Sequence, residues 1–326
     1  MELMAWIVIT ASLSLAGIFL NFAALSVTFW RGKAESIFNI LMSHFVAINF
    51  AICLVNIPIH VFMVLAKHHG YKLQSYICGP IQFFFALGCA VCNWADVCLS
   101  VNRFVAIVFP HYYKWWTSKW VNLAMVALGW AVCTAAILPL AFGQAGSMPI
   151  LAMGQCGFLP IGKSGALVTA VVSYIPYGII ASASLAIWFR ILQLQRANNR
   201  IRTGDAMKRT VISRRRLVVA RMLLMTTVWS AICNIPWGVI QFNFPYLYGT
   251  EPVSTLWLRT VQAIQYGFSP LVLYSTNEDY RRRFRMLLNR AFGRRIPVGG
   301  INTVSGTEQG ARSSHFNSAT MKAELD

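Results

Sequence analysis

Apolar residues run unbroken, or nearly so, over seven stretches of this chain: roughly 4–30, 37–65, 76–108, 120–142, 165–189, 217–241 and 254–276. A hydrocarbon core about 30 Å thick takes ~20 helical residues to cross. Each stretch reaches that length, so the pattern predicts an all-α bundle of seven membrane-spanning helices, spans 1 to 7. The polar stretches between them are short except at 143–164, 190–216 and the tail. The first of these is rich in Gly and Pro (Gly143, Gly146, Pro149, Gly154, Gly157, Pro160, Gly162) and is expected to be irregular. The second, with Arg214-Arg215-Arg216, is expected to extend spans 5 and 6 as basic helices.

After span 7 the pattern changes. Tyr280, Phe284, Leu287, Leu288 and Phe292 fall on one helical face, with Arg281, Arg282, Arg283 and Arg285 opposite. An apolar face flanked by cations suits a short amphipathic helix lying on membrane lipid. Beyond Pro297 the chain is rich in Gly, Ser and Thr and reads as disordered. The expected division is therefore a bundle with its juxtamembrane helix, 1–295, and a cytoplasmic tail, 296–326.

Charge orients the bundle. If the N-terminus is outside, segments 31–36, 102–119, 190–221 and 277–326 face the cytoplasm and hold 24 of the 28 Lys and Arg residues. The outside keeps Lys67, Lys72, Lys163 and Arg259. This asymmetry places the N-terminus outside and the C-terminus inside. A net charge of +18 in a soluble chain would suggest nucleic acid. Cations that flank spans are instead read as attracted to anionic inner-leaflet lipid, so no nucleic-acid partner is expected. The first apolar run follows Met1-Glu2 with no basic residues ahead of it, so it is expected to stay as a span rather than be cleaved.

Six of the eight cysteines (Cys53, Cys89, Cys92, Cys98, Cys133, Cys233) lie within spans, where they act as small apolar residues. Cys78 and Cys156 alone lie at extracellular level. That compartment is oxidising, so a disulfide between them is expected.

Spaced motifs then narrow the choice among seven-span families. Span 1 carries Gly17-x-x-x-Asn21, and span 2 carries Asn39, Asn49 and Pro58. Span 3 runs from Cys78 to Asn102-Arg103-Phe104, with Pro110 following. Trp130 lies in span 4 and Pro176 in span 5; span 6 has Cys233-Asn234-Ile235-Pro236-Trp237 and span 7 ends Ser269-Pro270-Leu271-Val272-Leu273-Tyr274. In this order and spacing, residues 1 to about 295 resemble a rhodopsin-like G-protein-coupled receptor.

The departures are informative too. The acid that the family places before the span 3 Arg is Asn102, Asn49 replaces the usual span 2 Asp, Asn234 replaces the span 6 Trp, and Ser269-Pro270 replaces Asn-Pro. The Asn-Arg-Phe triplet, with Arg190, Leu192, Leu194, Gln195 and Arg196 ending span 5, is similar to melatonin-receptor relatives and the invertebrate orphan receptors near them.

The resemblance implies a plasma-membrane, multi-pass receptor without enzymatic activity, cofactor or metal. Its expected partners are a heterotrimeric G protein, with arrestin and a receptor kinase acting on the tail residues Thr303, Ser305, Thr307, Ser313, Ser314, Ser318 and Thr320. Coupling and activation fall to Asn102, Arg103, Phe104, Pro236, Pro270 and Tyr274, with span 6 hinged at Pro236.

Two readings come from the residues alone. Asp96 is the single acid within any span, two turns above Arg103 on nearly the same face. A carboxylate in a bilayer faces a bundle interior with partners, so Asp96 is expected to join Asn21, Asn49 and Asn93 in buried polar surroundings, with Asn49 and Asn93 beside it. In the extracellular half, helical spacing directs Gln82, Phe85, Tyr177, Asn234, Trp237, Gln241, Arg259 and Gln262 toward a ligand cavity, with Tyr174 beside them. No acid lies level with Phe85, which disfavours a biogenic amine, and span 7 has no Lys to hold retinal. Arg259, the one cation at that depth, favours a ligand with a carboxylate or phosphate. A transporter or channel is the alternative, but it would need several ionisable groups along a path.

Overall fold

The computed structural model describes residues 1–29, 38–200, 225–226, 228–241, 243–276, 281, 284–287 and 289. Asn39's side chain, the basic run at 214–216, most of the expected amphipathic helix and the tail Ser and Thr residues lie outside them. Span 1 is Glu2–Phe29; span 2 runs from Phe38 through a π-helical turn at Ile52–Asn56 to His68; span 3 is Cys78–Val108. Span 4 is Lys119–Ala141, and span 5 runs from Gly162 through a second π-helical turn at Ala170–Tyr174 to Arg200. Span 6 is helical over 228–241, and span 7 is Pro252–Thr276. These helices belong to one unit, Met1–Leu287, and Leu288–Asp326 forms another.

Among the described residues, five helices are long and apolar enough to cross a membrane, spans 1 to 5. Span 7 is more polar because its inward face carries Thr255, Arg259, Thr260, Gln262, Gln265 and Ser269, all buried. Span 1 has the same inside-out design. Trp6, Thr10, Ser14, Gly17 and Asn21 recur every three or four residues and are buried, while Val8, Leu15, Phe19 and Phe22 are exposed. The two polar faces meet each other. Trp6 Nε1 donates to the Leu256 carbonyl at 2.9 Å, and the Thr10 and Thr260 hydroxyls pair at 3.0 Å. Glycine permits the approach: a Cβ on Gly17 would lie 2.8 Å from both Gly267 Cα and Cys53 Sγ.

Proline dictates the rest of the wiring. A proline has no N–H, so the carbonyl one turn before it loses its donor, and in lipid that carbonyl must find another. Before Pro58 the chain widens into the π turn, and the Cys53 carbonyl accepts from Ser14 Oγ at 2.6 Å. Before Pro176 the second π turn frees the Val171 and Val172 carbonyls, which accept from Trp94 Nε1 at 3.1 Å and Asn93 Nδ2 at 3.0 Å. Before Pro270 the Tyr266 carbonyl accepts from Asn21 Nδ2 at 3.0 Å. At these three prolines the break in one helix is closed by a side chain from its neighbour.

Over the extracellular end lies the 143–164 loop. The expected irregular loop contains a short antiparallel ribbon, Gly146–Ser147 (β1) against Leu159–Pro160 (β2). The strands come so close that a Cβ on Gly146 would collide with the Leu159 carbonyl. Composition could not reveal this, because the pairing is set by the loop's anchor. That anchor is the Cys78–Cys156 disulfide, whose Cα atoms lie 5.2 Å apart.

Candidate functional site

Beneath the ribbon, spans 3 to 7 enclose a cavity with about 660 Å³ of space free of atoms, its mouth included. Of the predicted residues, Gln82, Phe85, Asn234, Trp237, Gln241 and Gln262 line it. Phe158 reaches in from the ribbon, and its carbonyl accepts from Gln241 Nε2 at 2.5 Å, which fastens the loop to span 6. The lining holds no Asp, Glu, Lys, Arg or His.

Three predicted residues lie elsewhere. Tyr174 is half-exposed on the outer face of the span 5 π turn. Tyr177 sits below the cavity, its hydroxyl donating to Asn93 Oδ1 at 3.2 Å. Arg259 is outside the lining and acts as a fastener through its two terminal nitrogens, while its buried Nε has no protein partner. Its Nη2 donates to the Cys156 carbonyl, its Nη1 contacts the His60 ring nitrogens at 3.1 and 3.2 Å, and its guanidinium lies 5.2 Å from the Phe85 ring centre. These contacts place Arg259 outside the main cavity rather than on its wall. With His60, Trp6 and Thr10 it borders a smaller neighbouring cavity.

The polar residues expected around Asp96 are also arranged differently: Asn93 lines the cavity, and Asn21, Asn49 and Asp96 are not in its lining. Asn49 accepts from Cys92 Sγ at 3.0 Å, Asn21 bonds the Gly17 and Tyr266 carbonyls, and Asn93 faces span 5. Asp96 Oδ2 accepts from Ser230 Oγ of span 6 at 3.2 Å. The geometry of span 3 explains the split. Successive residues point about 100° apart, so Cys92 meets span 2, Asn93 meets span 5 and Asp96 meets span 6.

Ser230 belongs to a longer chain of bonds. Asn234 Nδ2, at the cavity floor, donates to Gln265 Oε1 of span 7. Gln265 Nε2 donates to Ser230 Oγ at 3.4 Å, and Ser230 donates onward to Asp96. Asp96 then shares a second cavity with Arg103, Trp229, Ser230 and Ser269, about 370 Å³ in all. Asp96 and Arg103 attract each other across it, and Arg103 is 5% exposed. Sequence reading missed Ser230, Gln265 and His60. The signal available was Ser230 and Asn234 one turn apart, facing the Gln262, Gln265, Ser269 stripe of span 7.

A family model described as 7 transmembrane receptor (rhodopsin family) matches residues 20–266. The chain belongs to that family. No curated protein matches it. The receptor reading thereby displaces the transporter alternative, and with it comes a heterotrimeric G protein as the partner to which the receptor transmits a ligand signal. At the cytoplasmic end of span 3, Asn102 and Arg103 are buried and Phe104 stacks edge-on to Phe109, ring centres 5.7 Å apart. Tyr274 packs edge-on against Phe284, ring centres 5.3 Å apart, tying the end of span 7 to the segment after it.

Proposed function

We propose that occupancy of the extracellular cavity is passed to Arg103 through the chain Asn234, Gln265, Ser230 and Asp96, and that span 6 swings about Pro236 to open the cytoplasmic face to the G protein. The observation that carries this is that one uninterrupted run of hydrogen bonds joins the cavity floor to the second cavity, crossing spans 6, 7, 6 and 3 in turn. A ligand shifts a conformational equilibrium only by interacting differently with its two states. A network anchored on three spans is such a two-state element, because moving span 6 breaks the Ser230–Asp96 bond. The receptor acts by binding and change of shape, with no chemical step.

The setting is the plasma membrane, supported by the extracellular disulfide and the cytoplasmic excess of Lys and Arg. The Asn102-Arg103-Phe104 triplet supports a place near the melatonin-receptor-like invertebrate group. The bundle to residue 295 is the signalling domain and 296–326 a regulatory tail whose Ser and Thr residues serve a receptor kinase. Phosphates there would add the charge that an arrestin reads; truncation after Pro297 then slows desensitisation. Basal nucleotide exchange on a co-purified G protein tests the relay. Ser230→Ala is expected to change it several-fold, and a variant with wild-type exchange would remove the hydrogen-bonded chain from signalling.

A further inference from the structure

We propose that the extracellular cavity takes an uncharged ligand whose polar end is a carboxamide, or a group with the same paired donor and acceptor, held by Gln82 of span 3 and Gln262 of span 7. This rests on the cavity being the ligand site, as proposed above.

Two observations carry it. The first is the absence of Asp, Glu, Lys, Arg and His from the lining. A charged group buried where no countercharge faces it is strongly disfavoured, and the one nearby cation, Arg259, is engaged by Cys156, His60 and Phe85 outside that lining. The second is which polar groups are already used. Asn234 and Gln241 are bonded to Gln265 and Phe158. Gln82 is 1% exposed and Gln262 4%, yet the Oε1 of each, and the Nε1 of Trp237, is buried with no protein partner. Leaving a buried polar atom unpaired costs about 1–3 kcal/mol. These three, on spans 3, 6 and 7, with the Tyr266 hydroxyl as a fourth, surround one cavity and mark a place where a ligand supplies the missing bonds.

The chemistry of that ligand follows from theirs. Two amide oxygens seek donors and an indole N–H seeks an acceptor, so the ligand must offer both. A glutamine end can also present its nitrogen by rotating, and a carboxamide answers either orientation. A carboxylate offers no donor, and an ammonium no acceptor. The apolar remainder of the ligand packs against Ile137, Leu140, Val168 and Val172 on spans 4 and 5.

A matched set on one skeleton tests this: 4-phenylbutanamide, 4-phenylbutanoate and 4-phenylbutylamine, with thermal unfolding of the purified full chain as readout. The amide is expected to raise the melting temperature in a saturable manner, with the acid and amine at least tenfold weaker. Gln82→Leu and Gln262→Leu each weaken the amide response at least tenfold. Gln82→Glu, measured by the same shift, moves preference to the amine and guards against a Leu variant that does not fold. Stabilisation by the acid or amine above the amide, silence from all three, or undiminished amide binding in both folded Leu variants overturns the proposal. Nucleotide exchange is scored separately. Arg103-dependent exchange with no amide response sinks the ligand class alone, whereas saturable amide binding without exchange keeps the ligand class and sinks the signalling relay.

Discussion

Two cavities of this receptor, one extracellular and one cytoplasmic, are built from opposite materials. The extracellular one is neutral, with amide and indole groups left without protein partners. The cytoplasmic one holds an acid, Asp96, and the buried Arg103. Hydrogen bonds between neutral groups depend steeply on direction, so the first arrangement discriminates shapes and functional groups. Opposite charges across a low-dielectric gap attract over a longer range and change energy steeply with separation, so the second suits a part that moves. On the proposed reading, recognition and switching are separated along the bundle and joined by the Asn234–Asp96 chain.

The contrast predicts graded consequences. Arg103→Ala should abolish exchange on the G protein while leaving the extracellular cavity's binding in place; an Ala variant that still couples fully removes the charged cavity from the mechanism. Next in size is the roof of the neutral cavity. Cys78→Ser or Cys156→Ser should remove most surface expression, in line with the ~2–5 kcal/mol typical of losing a native disulfide. Because the two are one bond, the double variant should match either single, and a clearly worse double would contradict the pairing.

Gly17→Leu probes the interface that serves both cavities. Overpacking costs about 1–3 kcal/mol, and with Gly267 and Cys53 so close the chain should melt several degrees lower; an unchanged melting temperature would mean that spans 1 and 7 can part freely. Asp96→Leu should lower stability by about 1–3 kcal/mol, since Ser230 and Gln265 are left to rearrange, and Asp96→Asn should be milder. A Leu variant equal to wild type in melting and basal exchange would show that the acid does no work in its cavity. The smallest effect is expected at Asn102. An Asp there would give Arg103 a second carboxylate, in a family where such an acid holds the Arg inward, and should lower basal exchange by the few-fold that ~0–1 kcal/mol allows. Unchanged or higher exchange would mean that Asp96 alone sets the resting state.

Much of this was legible in the residues. The seven apolar runs, the one-sided charge and the lone extracellular cysteine pair each follow from the solvent on either side of a bilayer, which acts on sequence directly. Six of the nine residues directed at the cavity line it, because helical spacing decides which face a residue occupies. Tyr174 fell on the outer face of the span 5 π turn, and Arg259 and Tyr177 escaped because the face a side chain lies on does not say whether a neighbour has already claimed its polar atoms. Arg259 is claimed by a carbonyl 103 positions away, a distance no local pattern reports. Asp96 shows the same limit: its need for a partner was plain from burial alone, but the choice of Ser230 over Asn49 depended on the rotation of span 3.

The π turns of spans 2 and 5 divide each helix into two pieces with separate phases. Each turn accommodates extra chain, so the extracellular piece is rotated relative to an uninterrupted α-helix, and the faces it shows the cavity are set by the bulge as much as by the residues. Removing one residue from 170–174 would let the helix close into regular α form. Thr169 and everything before it would then turn by about 100° against the lower half, carrying Val168 and Thr169 off the cavity wall while Tyr177 kept its place. A change that deletes no contact residue would thus rewrite the pocket, and a position-by-position comparison with a straight-helix receptor would misalign every residue on the extracellular side of the bulge.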